Sequence, residues 1–439
     1  MKTTLVPLYF KSADRDEFDG QLKILKEQLS DVAEFAEPLP LGSKISNADA
    51  VIFPQLVGEA YTRIDELRKI ELPFLAITSE FSTVKMWDWE IVSFMKSEGC
   101  TVFAPHSLEL SKKICRSLGV KREMRTTKFL VFQDNPGEGM QADIFKRFYW
   151  WEERCIDLMK ERFGVSVVKK SFKRVGAAAK DIPDDEAEQA LKKWDIPSEG
   201  LTRTMLNSAV KVYLAVKREI EKDEGIRGVG INCLNESFHS ETTPCLAWNM
   251  LFEEMGIIWA CEADIMVLLT KYLIYRSLEV PIMMSNIYPF LMGQAALKHE
   301  RIPSFPEVDG DPADYSLIAH CGYLGVLPQS FSTEWTLRPK VLAIVDDNAT
   351  AIDARLPEGD LTVAKLDPTL SALLTVEGSI TGYAQYPGSD CRNGAVIRVP
   401  NGYRLLDKLY SHHILLMTGH VGYELENMCR ALGLRFDAV

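Results

Sequence analysis

No stretch of this 439-residue chain stays apolar for the roughly 18 residues that a membrane span needs, because Lys271 interrupts the longest candidate. No membrane role is expected. The amino-terminal MKTTLVPLYFKSADRDEF turns charged too soon for a secretory signal, so the expected location is cytoplasmic. Positive charge is in deficit, with 50 Lys and Arg against 62 Asp and Glu and no basic block. A phosphate backbone needs a positive field, so nucleic acid is excluded as a main partner. CxxC pairs are missing as well. The nine cysteines, an odd number, sit mostly in apolar segments (Cys115, Cys155, Cys245, Cys429), as reduced, packed thiols do and as disulfide or zinc ligands do not. The first 120 residues hold neither GxGxxG nor GxxxxGK, which argues against a nucleotide site there. No repeat or low-complexity tract occurs.

What is present has the composition of a globular protein, long enough for two or three domains. Up to about residue 122, apolar runs (TLVPLYF, DAVIFPQL, FLAITS, TVFAPH) alternate with amphipathic stretches, the pattern of a layered parallel α/β domain. Trp87 and Trp89 fall on an expected helix there and read as packing residues. A basic joint, KREMRTTK, leads into a second α/β domain over 123–335. It opens with the strand and glycine turn FLVFQDNPGEGM and includes a long helix over 202–221 and a helix opened by Pro244. VPIMMSNIYPF reads as one more strand of this domain. From about Lys340 the pattern becomes short alternating strands (VLAIVDD, ATAIDARL, LTVAKL, LLTVEGSITGYAQY, GAVIRVP) with Gly, Asp and Asn turns, which predicts a β-rich domain over 336–439 built as a small antiparallel barrel or sandwich. The expected fold class is thus α/β: two layered α/β domains with mainly parallel sheets, then a β-rich carboxy-terminal domain.

Residues 257–275, IIWACEADIMVLLTKYLIY, hold the sharpest chemical signal. A short strand ends and a buried helix begins at Glu262 and Asp264, and in open α/β sheets ligands bind beyond the carboxyl ends of strands. Asp264 also suits a plain helix N-cap. Glu262, beside a buried strand, needs a charge partner, a metal or a raised pKa to offset its desolvation. Only seven histidines occur. His320 ends the apolar SLIA run and His413 precedes ILLM; with Glu262 they would make a mixed N/O site suited to manganese, cobalt or a similar ion. Each histidine taken singly also fits a hydrogen-bonded structural role.

ACEADIMVLLTKYL, VPIMMSN, AHCGYLG, TVAKL and SHHILLMTGHVGYELENMCRALGL together resemble the L-fucose isomerase and L-arabinose isomerase superfamily, most closely its shorter fucose-isomerase-like members. The resemblance is specific over residues 230–439 and in FLVFQDNPGEGM, and only architectural in the first 120. It implies a divalent metal, usually Mn2+, aldose–ketose isomerisation of a monosaccharide, and a homo-oligomer with sites near subunit boundaries. The family's acidic metal ligand falls on Glu262, its carboxy-terminal metal histidine on His413, and the further histidine of the arabinose-type branch on His320. The second acidic ligand aligns with Asn286, a departure. An amide can coordinate a cation but cannot accept a proton. Asp264, Glu236 or a shared metal-bound water could fill that gap. The implied mechanism passes through a cis-enediol, with Glu262 moving the proton between C1 and C2. A sugar-binding or regulatory protein with a degraded acid–base pair, and a metal-dependent epimerase, remain the alternatives.

Overall fold

The computed structural model describes residues 2–135 and 142–439, so the glycine turn expected at 136–141 lies outside the described residues. Two compact units form: residues 1–125 with 276–279 and 423–436, and residues 126–275 with 280–422 and 437–439. Among the described residues no helix is long and apolar enough to cross a membrane.

The first unit is built on a parallel sheet in which Thr3–Tyr9 pairs with Ala33–Phe35, Leu39–Pro40 and Ala50–Phe53, followed outward by Phe74–Ala76 and Val102–Phe103. Successive strand residues point to opposite faces, so Ala50 and Ile52 enter one apolar cluster while Val51 and Phe53 enter another. A sheet covered on both faces explains why its strands read as continuous apolar runs. Trp87 departs from expectation. It is 81% exposed, and Met86 and Phe81 nearby are 74% and 72% exposed, so these three side chains stay outside the core that Val84, between them, enters; Trp89 is 42% exposed.

In the second unit a four-stranded parallel sheet runs in the order Ile258–Ala260, Ile226–Ile231, Lys128–Phe132, Ser166–Lys170. The helix Arg203–Ile220, capped by the Thr202 hydroxyl on the Met205 amide, and the helix Cys245–Met255, ended by Gly256 at φ +65°, follow the boundaries read from sequence. Six antiparallel strands form a closed circuit: Gly359–Leu366, His413–Thr418, Ile282–Pro289, Tyr315–Ala319, Asn393–Arg398 and Ala372–Gln385, the last pairing back onto the first. Closure pairs these six strands around the barrel, and a seventh, Arg435–Ala438, adds onto Ala372–Gln385. Ile282–Pro289 and Tyr315–Ala319, which lie before residue 335, are therefore strands of the barrel and not of the parallel sheet. The expected strand VLAIVDD does not form. Residues 341–347 instead run between the paired strands Glu334–Pro339 and Thr350–Arg355, and Val341, Leu342 and Val345 line a small apolar cavity.

Candidate metal centre

The acid turn is held in an unfavourable backbone conformation. Immediately after Ile258–Ala260, Glu262 and Ala263 both have positive φ, +54° and +53°, a region that non-glycine residues rarely occupy and that surrounding structure must enforce. Three features enforce it. Gly230 on the neighbouring strand leaves room, since a Cβ there would stand 3.1 Å from the Ala263 Cα. The Trp151 indole donates to the Ala263 carbonyl at 2.8 Å, and the Ile265 amide donates to the Tyr149 carbonyl at 3.1 Å. The turn is thus clamped between the sheet and an aromatic segment.

Asp264 performs two tasks at once. Its Oδ1 accepts from the Val267 amide at 2.9 Å, capping the helix Ile265–Leu278, and its Oδ2 lies 2.8 Å from His413 Nδ1. Both residues are fully buried. Burial favours the neutral acid, but the Lys365 ammonium, 3.6 Å away, and His413 outweigh it and hold Asp264 below the usual carboxylate range. An ionised Asp264 takes the Nδ1 proton of His413 as a hydrogen bond. That fixes the imidazole tautomer and turns Nε2 toward the Tyr149 hydroxyl, 3.5 Å away, and Glu262 Oε1, 3.7 Å away.

The barrel supplies the rest. Asn286 lies directly opposite His413 on one neighbouring strand and opposite Ala319 on the other, and His320 follows Ala319. Residues opposed in an antiparallel pair project to the same face. His320 Nε2 stands 3.3 Å from Glu262 Oε1, yet among the described residues neither ring nitrogen finds a well-directed hydrogen bond. Buried imidazole nitrogens without such a bond are the donors a metal ion would use. Cys321 joins them: one ligand atom each of Glu262, His320 and Cys321 lies within 4.8 Å of the others, a group able to hold a metal ion. Burial works to raise the Glu262 pKa, but the two imidazoles hold it well below the ordinary value, so this carboxylate is ionised. The Tyr149 hydroxyl donates to Glu262 Oε2 at 3.1 Å, and its ring stacks on His413 with centroids 4.9 Å apart. Burial and then the adjacent acids push its pKa up, so the phenol keeps its proton.

Glu262, His320, Cys321, Tyr149 and Asn286 all border one cavity of about 540 Å3. His412, exposed to solvent, borders it too. Glu236 is not brought to this wall. It is fully buried, its Oε1 accepts from the Asp134 and Asn135 amides at 2.6 and 3.0 Å, and burial pushes its pKa up to about 7. Neither Asp264 nor His413 borders the cavity; both are fully buried, with Asp264 hydrogen-bonded to His413. Tyr149, Cys321 and Lys365 carry no local sequence signal that marks them as site residues; only the aromatic run near Phe145 hints at the first. Compared with models of known protein families and with curated proteins, the chain matches none.

Proposed function

We propose that this protein is a metal-dependent aldose–ketose isomerase acting on a free or modified monosaccharide. The observation that supports this most is the convergence of Glu262 and His320 on one wall of a cavity whose volume falls within the range of small-molecule sites, with the Nε2 of His413, a residue oriented by buried Asp264, 3.7 Å from Glu262. Glu262, His320 and His413 would hold a divalent ion, Mn2+ in the first place, with the Asn286 amide oxygen and the Cys321 thiol next in reach. Such an ion, when bound, supplies polarisation of adjacent sugar oxygens. The remaining chemistry belongs to side chains. Glu262, ionised at neutral pH, carries the proton between C1 and C2, passing through a cis-enediol. The Tyr149 hydroxyl, which keeps its proton and donates it to Glu262 Oε2 in the free protein, turns from that carboxylate to the sugar oxygen on which charge develops when substrate binds. Asp264 positions His413 and does not itself exchange protons with substrate. One observation favours a second reading, a sugar-binding or regulatory protein: Asn286 occupies a place where a second proton-transfer group would be expected.

Turnover separates the two. A panel of aldoses and ketoses, including phospho- and sulfo-sugars, is incubated with and without Mn2+, and formation of the paired ketose or aldose is followed. Conversion that requires the metal is the expected result. Binding of a sugar without conversion across the panel would overturn the isomerase in favour of the binding protein, and a product inverted at one carbon without carbonyl migration would favour an epimerase.

The functional unit is proposed to be a homo-oligomer in which the amino-terminal unit meets another copy. Three large apolar side chains, Phe81, Met86 and Trp87, lie exposed within seven residues of sequence, more than isolated surface apolars require. Light scattering at micromolar concentration is expected to give a mass above the 49.5 kDa of one chain, and Trp87→Ser to shift it downward while the circular-dichroism spectrum stays unchanged. A monomeric parent protein would rule this out.

A further inference from the structure

A polar chain crosses from the metal wall to the far side of the same cavity, and the hydrogens available fix its direction. Asn286 and Tyr288, two apart on the strand Ile282–Pro289, share a face. The Tyr288 hydroxyl stands 3.1 Å from Asn286 Nδ2 and 3.0 Å from Glu300 Oε1, and Glu300 also receives the Cys391 thiol at 3.5 Å on Oε2. An ionised carboxylate can only accept. Tyr288 has one hydrogen, so it goes to Glu300, and the phenol oxygen is left as an acceptor. The only group of Asn286 able to donate to it is the amide NH2. The amide oxygen is thereby turned the other way, and it is buried with no hydrogen-bond partner among the described residues, at the border of the cavity and on the strand position opposite His413.

We propose that Glu300 is a positioning residue which, through Tyr288, locks the Asn286 amide with its oxygen toward the metal centre, and that this lock is why an amide rather than a carboxylate serves at position 286. A carboxylate at 286 would put two acceptors on one hydroxyl hydrogen, so one of the two contacts would be lost. An amide there satisfies both ends and presents a fixed neutral acceptor to a cation or to a ligand hydroxyl. The effect on metal affinity rests on the function proposed above; the orientation of the amide does not.

Two measurements separate those levels. With asparagine selectively 15N-labelled, exchange of the Asn286 side-chain amide hydrogens is expected to be slow in the parent protein and at least about tenfold faster in Tyr288→Phe and Glu300→Ala, with no metal needed. Equal exchange in all three would overturn the lock. Calorimetric Mn2+ titration then reads its consequence. Tyr288→Phe is expected to weaken Mn2+ binding by on the order of tenfold, as loss of an orienting partner does. Asn286→Asp alone is expected to change affinity by less than about threefold, whereas Asn286→Asp combined with Glu300→Gln tightens it by about tenfold, because the chain can then run in the reverse sense with the new amide donating to Tyr288. Effects of the two substitutions that add within about twofold would overturn the coupling. Fast exchange in the variants together with no Mn2+ binding by the parent protein would sustain the lock and refute the metal site.

Discussion

The double variant Glu262→Gln, His413→Ala is expected to fold and to lose the metal, with affinity down by more than about 100-fold, beyond what removal of an orienting partner alone produces. Turnover is expected to fall by on the order of 10³-fold or more, since the several kcal/mol that a Lewis acid contributes to the transition state would be lost together with the proton carrier. The two substitutions remove different things. Glu262→Gln discharges the carboxylate on which both imidazoles converge, and His413→Ala removes the Nε2 that Asp264 aligns. Asp264 keeps its helix-capping bond to Val267 and its ion pair with Lys365, so the turn that carries position 262 stays anchored. Metal content by plasma emission after gel filtration, alongside the circular-dichroism spectrum, checks this. Stoichiometric metal in the folded double variant would mean that the centre lies elsewhere.

The parts of this site that are legible in the sequence are the parts encoded locally. A short apolar run, two acids and a helical apolar run define a strand, a turn and a helix whatever surrounds them, and that places Glu262 and Asp264 at a strand end. In the sequence, an N-cap and a chemical role compete for Asp264, yet the carboxylate has two oxygens, one for Val267 and one for His413. What could not be read is pairing at a distance. Ile282–Pro289 is buried at all but one position, so it lacks the in-out alternation that marks an antiparallel strand with a wet face, and it reads like a parallel strand. Its place in the barrel, and with it the register that sets Asn286 opposite His413, follows from contacts across more than a hundred residues. Tyr149 and Glu300 are illegible for the same reason: one sits in an aromatic run and the other in a proline-rich loop, and only tertiary packing brings either to the cavity. The exposure of Trp87 is likewise a property of the folded surface, which a helical pattern does not specify.

Lys271→Met is expected to stabilise the protein, and the gain is expected to depend on pH in a defined direction. Lys271, the residue that breaks the longest apolar run in the sequence, is fully buried in the helix Ile265–Leu278. Its ammonium donates to the Trp259 carbonyl at 2.9 Å and lies 3.7 Å from the centre of the Trp259 indole ring. These contacts do not match the hydration that is lost, and burial lowers its pKa from 10.5 to about 7. Between those two values the unfolded chain holds a proton that the folded chain has released, so stability rises with pH through this window. Below about pH 7 the charged group is carried into the core and the whole penalty applies; near pH 10.5 the lysine is neutral in both states and the penalty is gone. A tenfold loss of proton affinity on folding costs about 1.4 kcal/mol, so methionine at this position should gain roughly 2–4 kcal/mol at pH 6 once the lost bond to Trp259 is subtracted, and close to nothing at pH 10.5. The difference between variant and parent in urea midpoints at pH 6, 8 and 10 measures it. A methionine variant less stable than the parent at pH 6, or a difference that does not shrink as pH rises, would show that the ammonium is held by more than Trp259 and that its burial is not the cost argued here.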